Sequence, residues 1–267
     1  MRNIILLDEF HQTDFNPSQF FNKYLELTQK DIGTYFLKSG ELKECNCPAC
    51  DAIESKSSFT KFGMTYLECS DCGTLRISPR PDDQKLITYF KESSAEQYWR
   101  DELSKETENI RKTKIIKPRL QWVVEATYEY FSDALHVADI YTNQEKYVEE
   151  LKKVSLFQQK TLIHPFLSPQ KIKSYPGFQV ITQSFSEVDI QETVDVVTAF
   201  EVINRVSDVG NFLDQIHKIL RKGGLCFMTT VLSSGFDLQV LWDKADNLFP
   251  PDWLNVFSVE GLNKLIE

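Results

Sequence analysis

The sequence predicts an α/β fold: a parallel sheet with helices on both faces, preceded by a helical segment and a small cysteine-rich module. Two observations predict it. From about residue 132 onward, apolar β-branched runs alternate with stretches of helical period, the pattern of parallel strands joined by crossover helices. Ahead of them stand two C-x-x-C pairs, Cys47/Cys50 and Cys69/Cys72.

Residues 1–40 form the helical segment. Asn16 and Pro17 suit an N-cap and a first helical position, and Phe20, Phe21, Tyr24, Leu25, Ile32, Tyr35 and Phe36 recur at helical spacing until Ser39-Gly40. Residues 41–80 form the cysteine module. Each C-x-x-C turn aims two thiolates at one ion, and two turns close a tetrahedron with no position left for water or substrate, so Cys47, Cys50, Cys69 and Cys72 are predicted to hold a structural zinc ion. Iron is the rival metal, and two disulfides or four unrelated thiols are the readings without metal. Cys45 is a spare beside the first pair, and Cys226, in an apolar run, belongs to the core. A ribbon that stands as its own module implies that Cys47→Ser releases the metal and leaves the α/β domain folded.

Ser78-Pro79-Arg80-Pro81 is a stiff exit, with Pro81 placed to start the next helix, and residues 81–131 read as mostly helical. Within 132–267 the predicted strands are Leu135–Tyr141, Thr161–His164, Phe178–Thr182, Val194–Phe200 and Leu225–Leu232. Predicted helices span Gln144–Val154 and Val209–Leu220, the second stopped by Gly223-Gly224. In such a sheet the first strand lies centrally, the order reverses beside it, and ligands sit at the carboxyl ends of the strands.

Composition excludes several classes. At 267 residues, 42% hydrophobic and 26% charged, the chain can bury a substantial core and is not disordered. A net charge of −9 argues against general nucleic-acid binding, which needs a basic face. No run approaches the ~20 apolar residues of a membrane span, and Met1–Leu7 is too short an apolar stretch for a signal peptide. Unpaired thiolates suit a cytoplasmic location.

Asp195-Val196-Val197-Thr198-Ala199-Phe200-Glu201-Val202, followed by a helix and Ile219-Leu220-Arg221-Lys222-Gly223-Gly224-Leu225, resembles the class I S-adenosylmethionine-dependent methyltransferases. The ribbon before Arg80-Pro81, Tyr98-Trp99, and Gly235-Phe236-Asp237 through Leu254-Asn255 are similar to the subgroup with an N-terminal zinc module, which includes sugar C-methyltransferases. The resemblance implies a Rossmann-like sheet and a cofactor site at Ala138, Asp139, His164 and Glu201. That site departs from the family pattern. The family needs a glycine-rich turn after the first strand, yet no glycine occurs between Gly73 and Gly177, and Ala138, Ile140 and Thr142 stand there instead. The second strand ends in His164 where a carboxylate is expected, and Asn204 and Arg205 replace a Glu-His pair that is a candidate base. A His-rich stretch after the prolines is replaced by Asp252-Trp253.

These departures predict no catalytic residue and doubtful S-adenosylmethionine binding. They point to a degenerate, non-catalytic pseudoenzyme that serves as a binding or scaffold subunit. The alternative is an active methyltransferase acting on a sugar or nucleotide-sugar. Other residues have plain expected roles: Glu201 a ligand contact or a solvated carboxylate, Arg205 a surface pair with Asp208, and Tyr98, Trp99 and Trp122 helix packing. The family sheet ends in further strands that are not in this sequence, so its edge is expected to meet a protein partner or a missing C-terminal segment.

Overall fold

The computed structural model describes residues 11–38, 40–141, 145–167, 172–173, 175–190 and 193–266. The first expected helix is α1 (Ser18–Ile32), continued by a π-helical turn over Gly33–Leu37. Pro17 is its N-cap rather than its first helical residue. Asn16 closes a separate helical turn, Gln12–Phe15, by donating its N–H to the Gln12 carbonyl at 2.9 Å, and its side-chain oxygen accepts from Arg111 at 3.1 Å. Residues 1–10 and 39 of the predicted segment lie outside the described residues.

The ribbon is an antiparallel meander of β1 (Ser55–Lys61), β2 (Met64–Cys69) and β3 (Leu75–Ile77). Its hairpin turns on Phe62 and Gly63, both left-handed (φ +51° and +81°), as a two-residue turn between twisted strands requires. Helices then fill the segment to residue 130: α2 (Asp83–Glu92), α3 (Ser94–Tyr98), π-helical turns at Trp99–Leu103 and Lys112–Ile116, and α4 (Lys117–Tyr130). Asp82 caps α2 by accepting from the Lys85 N–H at 3.0 Å, so Pro81 precedes the helix instead of opening it.

The remaining strands are β4 (His136–Ile140), β5 (Gln159–Ile163), β6 (Gln179–Ile181), β7 (Val194–Phe200) and β8 (Leu220–Thr229). They form one parallel sheet in the order β6-β5-β4-β7-β8, with β4 central and the reversal between β4 and β7, as expected. Two crossover helices are α5 (Glu145–Lys152) and α6 (Val209–Ile219). The predicted start of α5 at Gln144 lies outside the described residues. Gly223-Gly224 does not stop α6, which ends at Ile219. The glycines lie within β8, where Gly223 is left-handed (φ +82°) and a Cβ on Gly224 would come within 3.0 Å of the Asp195 carbonyl. This close approach accompanies the register shift between Val194 and Val196. Two further α-helices follow, α7 (Phe236–Leu241) and α8 (Val259–Ile266).

The ribbon is not a free-standing module. A short strand, β9 (Asn255–Val256), pairs with β3 and completes the ribbon's sheet from the far end of the sequence. Cys47, Ala49, Cys69 and Cys72 share one hydrophobic core with Ala138, Val197, Ile203 and Phe257, against which Leu262 and Leu265 of α8 pack. No helix among the described residues is long and apolar enough to cross a membrane.

Candidate functional site

The sheet reverses between β4 and β7, so a crevice opens at their carboxyl ends. It widens into a cavity of about 630 Å³, within the range of ligand sites, roofed by α1 and the helices after the ribbon. The residues that end the two central strands, Tyr141 and Glu201, are both left-handed, with φ of +57° and +61°. For non-glycine residues that conformation costs ~1–2 kcal/mol, and such strain collects where a fold positions a site.

Tyr141 crosses the crevice on the β5–β6 side. Its N–H donates to Ile163 at 2.9 Å, and its hydroxyl accepts from the Phe185 N–H beyond β6 at 2.7 Å. Its ring lies 5.4 Å from Phe166, which in turn lies 5.5 Å from Phe90 of α2. Burial pushes the Tyr141 hydroxyl up, so it stays protonated.

On the β7 side the cavity holds a chain of ion pairs. Arg119 of α4 pairs with Glu201, and Arg205 pairs with Asp252 at 2.5 Å. Tyr24 of α1 places its hydroxyl 2.8 Å from Asp252 and 3.2 Å from Glu96 of α3. Burial works to raise Glu201, but Arg119, with Arg205 and Arg111, overrides it and holds the carboxylate below its ordinary range. Burial works to lower Arg205, and Asp252 outweighs it. Tyr24 is pushed well up, by burial first and then by Asp252 and Glu96. Arg111, whose guanidinium lies 4.9 Å from the Trp99 ring, is brought down to about 10 by burial and remains a cation. No histidine or lysine lines the cavity among the described residues.

Glu201 supplies a pH test. Its folded pKa is depressed, so its contribution to stability is complete above the ordinary carboxylate value of about 4.3 and is lost as pH falls through the lower folded value. Glu201→Gln should therefore flatten the acid limb of stability below about pH 4. Thermal unfolding followed across that range checks it, and an unchanged acid limb would contradict the pairing.

The predicted cofactor positions are not brought together at the cavity. Ala138 and Asp139 are interior strand residues of β4, exposed by 0% and 1%, and do not line the cavity. Ala138 pairs with Thr161 and Val197, while Asp139 accepts from the Thr198 hydroxyl at 2.6 Å. Ile140 is likewise buried in β4, and Thr142 lies outside the described residues. Tyr141 is therefore the first residue after the strand. His164 ends β5 with its ring 5.2 Å from Phe166 and outside the cavity lining. Only Glu201 lines the cavity, and it is ion-paired rather than simply solvated.

One further expectation is corrected. Arg205 pairs with Asp252, because Asp208 is occupied capping α6 through Asn211 at 3.0 Å. Trp99 packs on Tyr24 of α1 at 5.3 Å, as expected, and also lines the cavity, and Trp122 packs on Phe227 of the sheet at 5.0 Å. Asn204 is structural: its side chain donates to the Asn255 carbonyl at 2.7 Å. Sequence reasoning singled out neither Tyr141 nor Arg119, although Tyr141 directly follows the strand at the position that calls for glycine.

The four cysteines converge, all sulfurs lying within 4.8 Å of one another. The Cys47–Cys72 and Cys50–Cys69 separations are 3.5 and 3.6 Å. Disulfides need ~2.05 Å, whereas a zinc tetrahedron with Zn–S of about 2.3 Å has edges of about 3.8 Å. Burial pushes the Cys47 and Cys50 thiols up. Against the same pressure, the N–H groups of Cys72 and Asp71 bring Cys69 down to about 7. The donor set fits a zinc ribbon.

A model of the methyltransferase domain matches residues 117–267, more than half of the sequence. The chain belongs to the methyltransferase domain family. No curated protein matches it. Among solved structures, the chain is similar to CalS10, an amino pentose methyltransferase from Micromonospora echinaspora, at 17% identity over 46% of this chain and 54% of that one, with a TM-score of 0.40. It also resembles the sugar N-methyltransferase KedS8 from a Streptoalloteichus species (13% identity, 50% and 56% covered, TM-score 0.41). A third similar structure is a possible histamine N-methyltransferase from Thermotoga maritima (18%, 59% and 77%, TM-score 0.38). The chain spans little more than half the length of the first two.

Proposed function

We propose that this member of the methyltransferase family has kept the fold as a binding or scaffold subunit and has lost productive binding of S-adenosylmethionine. Tyr141 carries the proposal. A cofactor seated at the reversal point needs the backbone after β4 to approach it closely, which glycine permits. Here a tyrosine holds the left-handed position, and its side chain spans from β4 to Phe185 beyond β6. His164, whose ring packs on Phe166, is no substitute for a carboxylate that accepts two hydroxyl hydrogen bonds. The residues at this end of the sheet do not fit the cofactor. Cys47, Cys50, Cys69 and Cys72 fit a structural zinc ion in a reducing compartment such as the cytoplasm.

A second reading is an active S-adenosylmethionine-dependent methyltransferase acting on a sugar or nucleotide-sugar. It is favoured by the cavity of about 630 Å³ that remains beside Glu201. Calorimetric titration of the full chain with S-adenosylmethionine and S-adenosylhomocysteine separates the two. The scaffold reading expects no heat of binding at about 100 μM ligand, where even a Kd of that size corresponds to roughly −5.5 kcal/mol. Micromolar binding of either compound overturns it in favour of the enzyme.

A further inference from the structure

We propose that metal held by the four cysteines controls the order of the ligand cavity, so that metal loss opens its Arg205–Asp252 wall. A continuous set of contacts links the two. At the metal end, Ser258 donates its hydroxyl to the Cys72 carbonyl, and the Gly261 N–H donates to that same hydroxyl oxygen at 2.8 Å. The Thr74 hydroxyl stands 3.3 Å from the Cys72 sulfur. A Cβ on Gly261 would lie 2.2 Å from the Thr74 hydroxyl oxygen and 3.2 Å from Ala49 Cβ, so the first turn of α8 rests directly on both cysteine turns. Leu262 and Leu265 of α8 and Phe257 pack into the core that contains Cys47, Cys69 and Cys72.

From there the contacts run to the cavity through one residue. Asn255, in β9, pairs with Arg76 of β3 and accepts from the Arg80 guanidinium at 2.8 Å. Its side-chain amide donates to the Ile203 and Val206 carbonyls at 3.2 and 2.9 Å, and its carbonyl accepts from the Asn204 side chain at 2.7 Å. These bonds define the backbone on either side of Arg205. Asp252, the partner of Arg205, lies just ahead of Asn255 on the same segment. Both halves of the ion pair are therefore held by the strand that the ribbon recruits. β5 and β6 also reach this core, through Ile163 and Ile181, but among the described residues their backbones pair only with each other and with β4. Without metal, four thiols in a partly buried cluster cannot hold the two turns together, because in small metal modules the binding free energy is folding free energy. The loosening then spreads along the contacts, to α8, β9 and residues 201–208, and stops short of β5 and β6. The device works whichever reading of the cavity's ligand holds.

Amide hydrogen exchange on the full chain, with zinc bound and after removal by a chelator under reducing conditions, tests this. Protection at residues 201–208 and 250–266 should fall at least tenfold on metal removal, with β5 and β6 unchanged. Gly261→Ala, which unseats α8 while leaving all four cysteines in place, should loosen residues 201–208 with zinc still bound. Unchanged protection at 201–208 in either experiment overturns the proposal. So does an equal loss of protection everywhere, or a chain isolated in reducing buffer with no metal and with residues 201–208 already protected.

Discussion

Cys47→Ser is expected to bring the chain below half an equivalent of zinc and to destabilise residues well outside the ribbon. Zinc sites of this type contribute apparent free energies on the order of 10 kcal/mol, comparable with the whole stability of a domain, about 5–15 kcal/mol. Cys47 is 2% exposed and shares a core with Val197 and Ile203 of the parallel sheet and its following loop, so the loss has packing to travel through. A serine there also leaves a buried hydroxyl facing three thiols, at a cost of about 1–3 kcal/mol if unpaired. Metal analysis in reducing buffer, with urea unfolding followed by far-UV circular dichroism, reads both effects. The midpoint should fall, and the transition should broaden as the ribbon, β9 and α8 detach first. Stoichiometric zinc in the variant, or an apo protein with an unshifted midpoint, would contradict the four-thiolate assignment and the shared core respectively. This differs from the expectation for a separate ribbon, because no pattern near the cysteines records that residues 255–256 complete their sheet.

Much of the frame was legible because its signals are local. Val194–Phe200 carries six buried positions in seven residues, and a β-branched apolar run of that kind permits little besides a central parallel strand. The C-x-x-C pairs specify their own geometry. What escaped depends on long-range pairing. Arg205 had Asp208 close by in sequence, and only the fold reveals that Asp208 is committed to a helix cap while Asp252 approaches from the far side of the chain. The positions assigned to the cofactor slid inward for a related reason. Ala138 and Ile140 lie within the predicted strand Leu135–Tyr141 yet are matched to the family's glycine turn; the sheet pairs them with Thr161 and Ile163, and the first residue after the strand is Tyr141. A strand's end is fixed by its neighbours' register, which the sequence does not state.

Tyr141→Gly combined with His164→Glu is expected to raise affinity for S-adenosylmethionine at least tenfold, from no detectable heat to measurable binding. Glycine adopts the +57° φ of residue 141 without the ~1–2 kcal/mol cost that a side chain incurs. Its substitution removes the ring that lies against Phe166 and the hydroxyl that accepts from Phe185. That opens the crevice between β4 and β6, at the cost of about 1 kcal/mol for the lost hydrogen bond and of the packing around the ring. Glutamate at 164 restores a carboxylate at the end of β5, with the capacity to accept two hydroxyl hydrogen bonds that imidazole lacks. The register makes a sharp control available. Ala138→Gly with Ile140→Gly alters residues that are 0% exposed within β4, so it should cost several kcal/mol of stability and give no gain in affinity. If the strand-interior pair improves binding while the Tyr141 pair, confirmed to be folded, stays silent, the obstruction does not lie where the side chain of Tyr141 crosses the crevice.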